Sequence, residues 1–236
     1  GKNKMKITNF EDFLESYKET LGSYLKILIK DIERRVKFEP SPFLSLLVES
    51  CTDRLKDISE GGAKYNDSGI LSVALGNTVN ALLNVKRVIF EEGNISIEKL
   101  SRALRDNFRN DDILLTNLKI KGLKFCMDEK EVILLTNEII NFTYQVLEKF
   151  KNIYRSKYKL GLSSPAFITM AENFPASSDG RKRGEPFGVH ISPLPFSNPL
   201  SYTRFSIDFS EVRNFLLRNY SRRAKRNEKS DPVQAS

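Results

Sequence analysis

A chain of 236 residues and 27.0 kDa, 40% hydrophobic and 29% charged, is long enough to bury a substantial core and too apolar to be disordered or collagen-like. Its 38 basic and 30 acidic residues leave a net charge of +8, and no apolar run approaches the roughly 18–20 residues of a membrane helix. No apolar signal-peptide core follows Gly1-Lys2-Asn3-Lys4-Met5, and Cys51 and Cys126 with one histidine are too few for a protein-built zinc site, so a cytoplasmic chain with reduced thiols and no metal is expected.

The first element starts at Thr8. Thr8-Asn9-Phe10-Glu11 has capping-box spacing, and Phe10, Phe13, Tyr17, Leu21, Tyr24, Leu28 and Ile32 then recur every three or four residues. They predict a long amphipathic helix that stops near Phe38, because Pro40 and Pro42 lack amide donors and hold the preceding residues extended. Pro42 can open a shorter helix with Phe43, Leu46, Leu47 and Cys51 as its apolar stripe, which makes Cys51 a core residue before it is a nucleophile.

Glu60-Gly61-Gly62-Ala63-Lys64-Tyr65-Asn66-Asp67-Ser68-Gly69 is too glycine-rich and polar for a helix interior and is expected to be a loop. Either it is a plain connector, or its backbone passes close to something, with Tyr65 and Asn66 offering hydrogen bonds. From Ile70 to Glu92, Leu75, Val79, Leu82, Leu83, Val85, Val88 and Ile89 suit a buried helix ended by Gly93. Ser96 caps a further helix with Leu100, Leu104 and Phe108 inward, and Asp111 or Asp112 starts another.

Glu129 to Lys151 carries the clearest helical stripe, Val132, Leu135, Ile139, Phe142, Val146 and Phe150. After Tyr158 the prolines at 165, 175, 186, 193, 195 and 199 and the Asp179-Gly180 turn predict loops with short strands over Leu160 to Pro199. A last helix is expected from Ser210 to about Tyr220, with Val212, Phe215, Leu216 and Tyr220 on one face.

No self-contained active site emerges. The chain has no nucleophile elbow, phosphate-cradling loop, zinc-protease helix motif or dinucleotide fingerprint. His190 stands in Phe187-Gly188-Val189-His190-Ile191 without a nearby cysteine or paired acid, so a structural role is favoured over a catalytic one. Glu91-Glu92 and Asp111-Asp112 suit solvated helix faces and caps. Charge is concentrated at the end: Arg213, Arg218, Arg222, Arg223, Lys225, Arg226 and Lys229 face one acid, Glu228, over that span. Such a cluster is a solvated tail in its plain form and a binder of RNA or an acidic partner in its functional form.

Three stretches, in order, resemble the glycyl radical enzymes, the family of pyruvate formate-lyase and the radical diol dehydratases. The first is Lys6-Ile7-Thr8-Asn9-Phe10-Glu11-Asp12-Phe13. The second, the most specific, runs from Pro42-Phe43-Leu44-Ser45 through Cys51-Thr52-Asp53-Arg54 to Asp57-Ile58-Ser59-Glu60-Gly61-Gly62-Ala63-Lys64-Tyr65-Asn66, with Gly69 in step. It continues into Val85-Lys86-Arg87-Val88-Ile89-Phe90-Glu91-Glu92 and Ile95-Ser96-Ile97-Glu98-Lys99-Leu100. The third is Ser178-Asp179-Gly180-Arg181-Lys182-Arg183-Gly184-Glu185-Pro186, followed by Ile191-Ser192-Pro193. The resemblance implies an α-rich α/β chain, a partial barrel scaffold of long amphipathic helices with short strands and loops. Residues 1–200 would form the pyruvate formate-lyase-like part and 201–236 an unmatched basic tail.

In that family a separate activase with an iron–sulfur cluster and S-adenosylmethionine installs a radical on a C-terminal glycine. That radical in turn oxidises a cysteine to the thiyl that takes hydrogen from substrate. The cysteine lies in a Gly-Cys-x-Glu setting, whereas Cys51 follows Ser50 and Cys126 follows Phe125. The glycine lies in an Arg-Val-x-Gly-aromatic setting, whereas Gly184 is followed by Glu185-Pro186. Asn80 replaces a usual aspartate, Cys126-Met127 a Gly-Asn pair, and Phe187-Gly188-Val189-His190 a run of small residues. No catalytic residue is therefore assigned. The resemblance implies a fragment, split piece or degenerate copy of such an enzyme, dehydratase-like or C–C lyase-like and inactive alone. Its partners would be the remaining segments, a second copy or the activase. The alternative is a non-catalytic interaction subunit working through the basic tail.

Overall fold

The structure, a computed structural model, describes residues 7–36, 38–127, 129–162 and 165–189. Helix α1 (Phe10–Arg35) and helix α6 (Lys130–Glu148) pack against each other, and Gly22 marks a close approach, since a Cβ there would lie 3.5 Å from the Phe142 ring. The cap of α1 sits one residue later than its spacing predicts. Asn9 is the N-cap, its Oδ1 accepting the Asp12 amide at 2.7 Å, while Asp12 accepts the Thr8 amide and hydroxyl at 3.0 and 2.6 Å. Glu11 and Asp12 complement the positive end of the helix, and Arg34 and Arg35 the negative end.

The buried stripe of α1 is Phe10, Leu14, Gly22, Leu25 and Ile29. The predicted Tyr24 and Leu28 are exposed instead. Over 26 residues at 3.6 per turn a stripe drifts around the cylinder, and Gly22 draws the contact toward Leu25 and Ile29. On α6 the predicted Val132, Leu135, Ile139 and Val146 are buried, and Phe142 and Phe150 pack partly buried against Leu25, Ile29, Leu147 and Tyr158.

The chain from Ile70 is not helical at first. Strand β1 (Ser68–Leu71) pairs in parallel with strand β2 (Tyr158–Gly161), in the register Ser68 with Tyr158 and Ile70 with Leu160. Ala74, at φ +67°, turns the chain into helix α3 (Leu75–Val85). The apolar run from Ile70 thus divides between a strand and a helix, a division that periodicity over so short a stretch does not resolve. From Lys86 to Glu91 the helix widens into a π-helical turn, which Lys86 braces by ion pairs to Glu131 and Glu91.

Ser96 caps helix α4 (Ile97–Arg105) as predicted, accepting the Lys99 amide at 3.2 Å. Helix α5 (Asp112–Ile120) starts after Asp111. Val85, Val88, Leu100, Ala103, Phe108, Leu115 and Leu118 form one core around these pieces. A larger one gathers Phe10, Leu14, Leu75, Val79, Leu82, Leu83, Phe125, Val132, Leu135, Ile139 and Ile140.

Helix α2 (Pro42–Leu47) corrects a prediction. Cys51 is buried as expected, but Phe43, Leu46 and Leu47 face outward, and the buried residue of the helix is Ser45. The reason is Asp57, whose carboxylate draws the hydroxyl side of this short helix inward. Among the described residues no helix is long and apolar enough to cross a membrane. The expected helix at Ser210, His190 and the basic cluster lie outside the described residues.

Candidate functional site

The loop predicted between Glu60 and Gly69 is a folded clasp. Asp57 accepts four hydrogen bonds, from the Ser41 amide (3.0 Å), the Ser45 hydroxyl (2.7 Å), and the Ser59 amide and hydroxyl (2.8 and 2.6 Å). These donors, Ser59 and Ser45 foremost, hold its carboxyl down at about 2. Gly61, at φ +84°, lies under the Tyr154 ring, where a Cβ would approach to 2.7 Å. The Tyr154 hydroxyl donates to the Ser59 carbonyl at 2.6 Å, and Arg54 donates to the Ala63 carbonyl at 3.1 Å.

Asn66, one of the two side chains expected to offer contacts, spends its amide on the Gly61 and Ala63 carbonyls at 3.2 and 2.7 Å. Tyr65 is exposed, with the Lys64 ammonium 5.8 Å from its ring centre. Asn152 closes the clasp from the other end of the sequence. It donates to the Asn66 carbonyl and the Ser68 hydroxyl and accepts the Tyr154 and Ser156 amides at 3.0 and 2.9 Å. These polar residues therefore tie the β1–β2 junction together, their hydrogen bonds spent on backbone and on one another.

The second closed unit is the turn at Ser177 to Glu185. Asp179 accepts from the Ser177 hydroxyl (2.5 Å) and the Arg181 amide (3.3 Å). Buried Arg181 donates to the carbonyls of Lys182 and Glu185 at 3.1 and 3.0 Å and to that of Pro175, and its guanidinium stacks 4.6 Å from the Phe187 ring centre. Gly180 takes φ +90° where Lys119 crowds the turn, with room for no Cβ.

An asparagine ladder on α3 receives this turn. Nine of the eleven α3 residues are buried, and Asn77, Asn80 and Asn84 recur on one face of it. Asn77 donates to Asp179 at 2.5 Å and accepts the Gly188 amide at 2.8 Å. Asn80 accepts the Phe125 amide at 2.6 Å. Asn84 donates to the Leu118 and Ser178 carbonyls, both at 2.8 Å, and accepts from Lys124 at 3.1 Å. Sequence reasoning missed this ladder. Its signal was three amides at i, i+3 and i+7 in an otherwise apolar helix, since buried amides occur where they have partners.

Lys124 is buried, donating also to the Leu118 carbonyl at 2.7 Å. Burial first, and the Arg87 charge second, lower its pKa to about 8 against the pull of Asp179. Cys126 is buried at φ +74°, a backbone conformation that favours glycine. Burial pushes its thiol up to about 12. Cys51 is buried as well. Glu91 pairs with Lys86 at 3.4 Å and Glu92 with Arg87 at 2.8 Å, so these acids are solvated ion pairs. Asp111 makes no side-chain cap, and Asp112 lies in the first turn of α5. Among the described residues no three His, Cys, Asp or Glu side chains are placed to hold a metal ion.

Residues 1–170 match the family model described as pyruvate formate lyase-like. The chain is 27% identical over 190 residues to trans-4-hydroxy-L-proline dehydratase of Clostridioides difficile, covering 78% of this chain and 24% of that one. It is 24% identical over 193 residues to (2S)-3-sulfopropanediol dehydratase of Klebsiella oxytoca, covering 80% and 23%. The glycerol-bound B12-independent glycerol dehydratase from Clostridium butyricum superposes with a TM-score of 0.72 at 28% identity, over 82% of this chain and 26% of that one. A glycyl radical enzyme from Archaeoglobus fulgidus does so with a TM-score of 0.72 at 25% identity, over 82% and 25%. The chain spans about a quarter of the length of these relatives. The chain thus belongs to the pyruvate formate lyase-like family, among the glycyl radical enzymes.

Proposed function

We propose that these residues form a wall segment of a dehydratase-type glycyl radical enzyme barrel, and that they do not turn over substrate without polypeptide carrying a radical glycine and a thiyl-forming cysteine. The observation that carries this reading is the state of the two thiols. Cys51 and Cys126 are both sealed in the core, neither follows a glycine, and the Cys126 proton is held far above its ordinary range. A cysteine that exchanges hydrogen with a substrate must meet it, whereas Cys51 and Cys126 are only 3% and 2% exposed.

The two polar clasps support the same division of labour. Asp57, Asn66, Asn152, Asp179 and Arg181 hold backbone to backbone, which suits a scaffold that places other residues. The relatives' names give the substrate class proposed for the whole scaffold: trans-4-hydroxyproline, sulfopropanediol and glycerol are small hydroxylated molecules. The radical would be installed by a separate iron–sulfur and S-adenosylmethionine activase. Anaerobic incubation of the 236-residue chain with such an activase and S-adenosylmethionine tests the reading. No glycyl doublet is expected in the electron paramagnetic resonance spectrum, and a doublet would overturn it.

A further inference from the structure

Helix α2 folds with its polarity reversed for a free surface. Its Ser45 hydroxyl is turned inward, donating to the Asp57 carboxylate, which also accepts the Ser41 amide, and accepting the Ile58 amide at 2.9 Å. Its apolar side is turned outward. Phe43 is 86% exposed and Leu47 84%, with Leu44 and Leu46 also in solvent, and Leu55 in the turn that follows is 94% exposed. The helix is too short to persist on its own, so this face is held in place by the clasp and does not collapse onto the core. A preformed face of one phenylalanine and three leucines marks an interaction surface.

Two further observations identify what covers it. Among the described residues, strands β1 and β2 make a two-stranded parallel sheet. Parallel pairs are met almost only inside wider, covered sheets, so the fold calls for more polypeptide of its own architecture. The chain also spans about a quarter of its relatives, and α2 lies inside the residues that match the family. We infer that the outward face of α2 is the seam on which the remaining polypeptide of a glycyl radical enzyme scaffold packs. This inference rests on the scaffold reading above. The face carries no charge at its centre, so the seam is hydrophobic and holds in high salt.

The test uses the full chain and, as probe, the C. butyricum glycerol dehydratase lacking the region that this chain matches, co-expressed with it. A complex that survives purification in high salt is expected. Phe43→Asp with Leu47→Asp should weaken it by roughly tenfold or more. Ile113→Asp, on the equally exposed outer side of α5, should leave it unchanged. Because residues 43 and 47 are in solvent, the paired variant keeps the fold of the chain, which circular dichroism verifies.

A complex insensitive to the paired variant would overturn the seam while leaving the scaffold reading intact. A chain that forms no complex but self-associates, and becomes monomeric with the paired variant, would assign the face to a second copy and overturn the inference. A monomer that binds no complement would overturn both the seam and the scaffold reading, whereas a glycyl doublet from the chain alone strikes the scaffold reading by itself.

Discussion

A side chain at Gly62 would place its Cβ 1.9 Å from the carbonyl oxygen of Lys56. The close approach exists because the Gly62 amide reaches back to the Asp57 carbonyl at 3.0 Å, closing the short helical turn at Ile58–Glu60. Backbone meets backbone there, so no flexible side chain can give way. Gly62→Ala is expected to destabilise the chain by about 3 kcal/mol or more. Gly69→Ala, where no atom lies within 4 Å of the added methyl, should stay within about 0.5 kcal/mol. Urea unfolding midpoints of the two variants compare them directly, and equal midpoints would contradict the crowding.

The Asp57 carboxyl titrates near 2 in the folded chain, below its ordinary 3.8. A lowered carboxylate stabilises the fold above the unfolded value and loses that contribution as pH falls through the folded one, here between about 4 and 2. Asp57→Asn should therefore melt at lower temperature than the parent at pH 7, with the gap narrowing as the pH approaches 2. Melting curves across that interval decide it, and a gap that widens on acidification would refute the assignment.

Lys124 gives a dependence of opposite placement. Its folded pKa of about 8 lies below the ordinary 10.5. Between these values the unfolded chain holds a proton that the folded chain has released, so stability rises with pH across the window, by on the order of 3 kcal/mol from this residue. Below about pH 8 the cost is constant. Relative to Lys124→Met, the parent should gain stability between pH 8 and 10.5, and parallel pH responses of the two would count against a buried amine.

Arg181 satisfies three carbonyls with one planar fork. Lysine cannot reproduce that geometry, so Arg181→Lys should cost about 2–4 kcal/mol by leaving carbonyls unpaired. Arg183→Lys, at an exposed neighbour that uses only its backbone amide on Asn107, should cost almost nothing. Denaturant titration separates them.

Both thiols are buried. Neither should react with an aromatic disulfide reagent in native buffer over the time in which both react in 6 M guanidinium. Rapid native labelling of Cys51 or Cys126 would place that sulfur within reach of solvent and weaken the proposed absence of chemistry.

The sequence made the long elements legible where apolar spacing and caps agree, as at Ser96 and along Val132, Leu135 and Ile139. It misled where one polar residue outside the element set its orientation. Nothing within Pro42–Leu47 shows that Asp57, ten residues later, draws Ser45 inward and turns Phe43 and Leu47 out. Ile70 and Leu71 lie in a strand because Leu160 and Gly161 pair with them, a contact that no local window contains. The glycines at 61, 62 and 180 were legible as turns, but the crowding by Tyr154, Lys56 and Lys119 appears only in three dimensions. Asn77 and Asn84 are the anchor points for Asp179 and Ser178, partners that no local window contains.

Ser68 finds its partner only once Tyr158, ninety residues further along the chain, has been made. At a ribosomal pace of about 5–20 residues per second, the earlier strand waits roughly 5–20 seconds with its ladder unmet. During that interval the nascent chain offers any passing β-edge a vacancy, so its yield in a cell should depend on holdase chaperones and on slow, cool expression more than on the strength of its finished core.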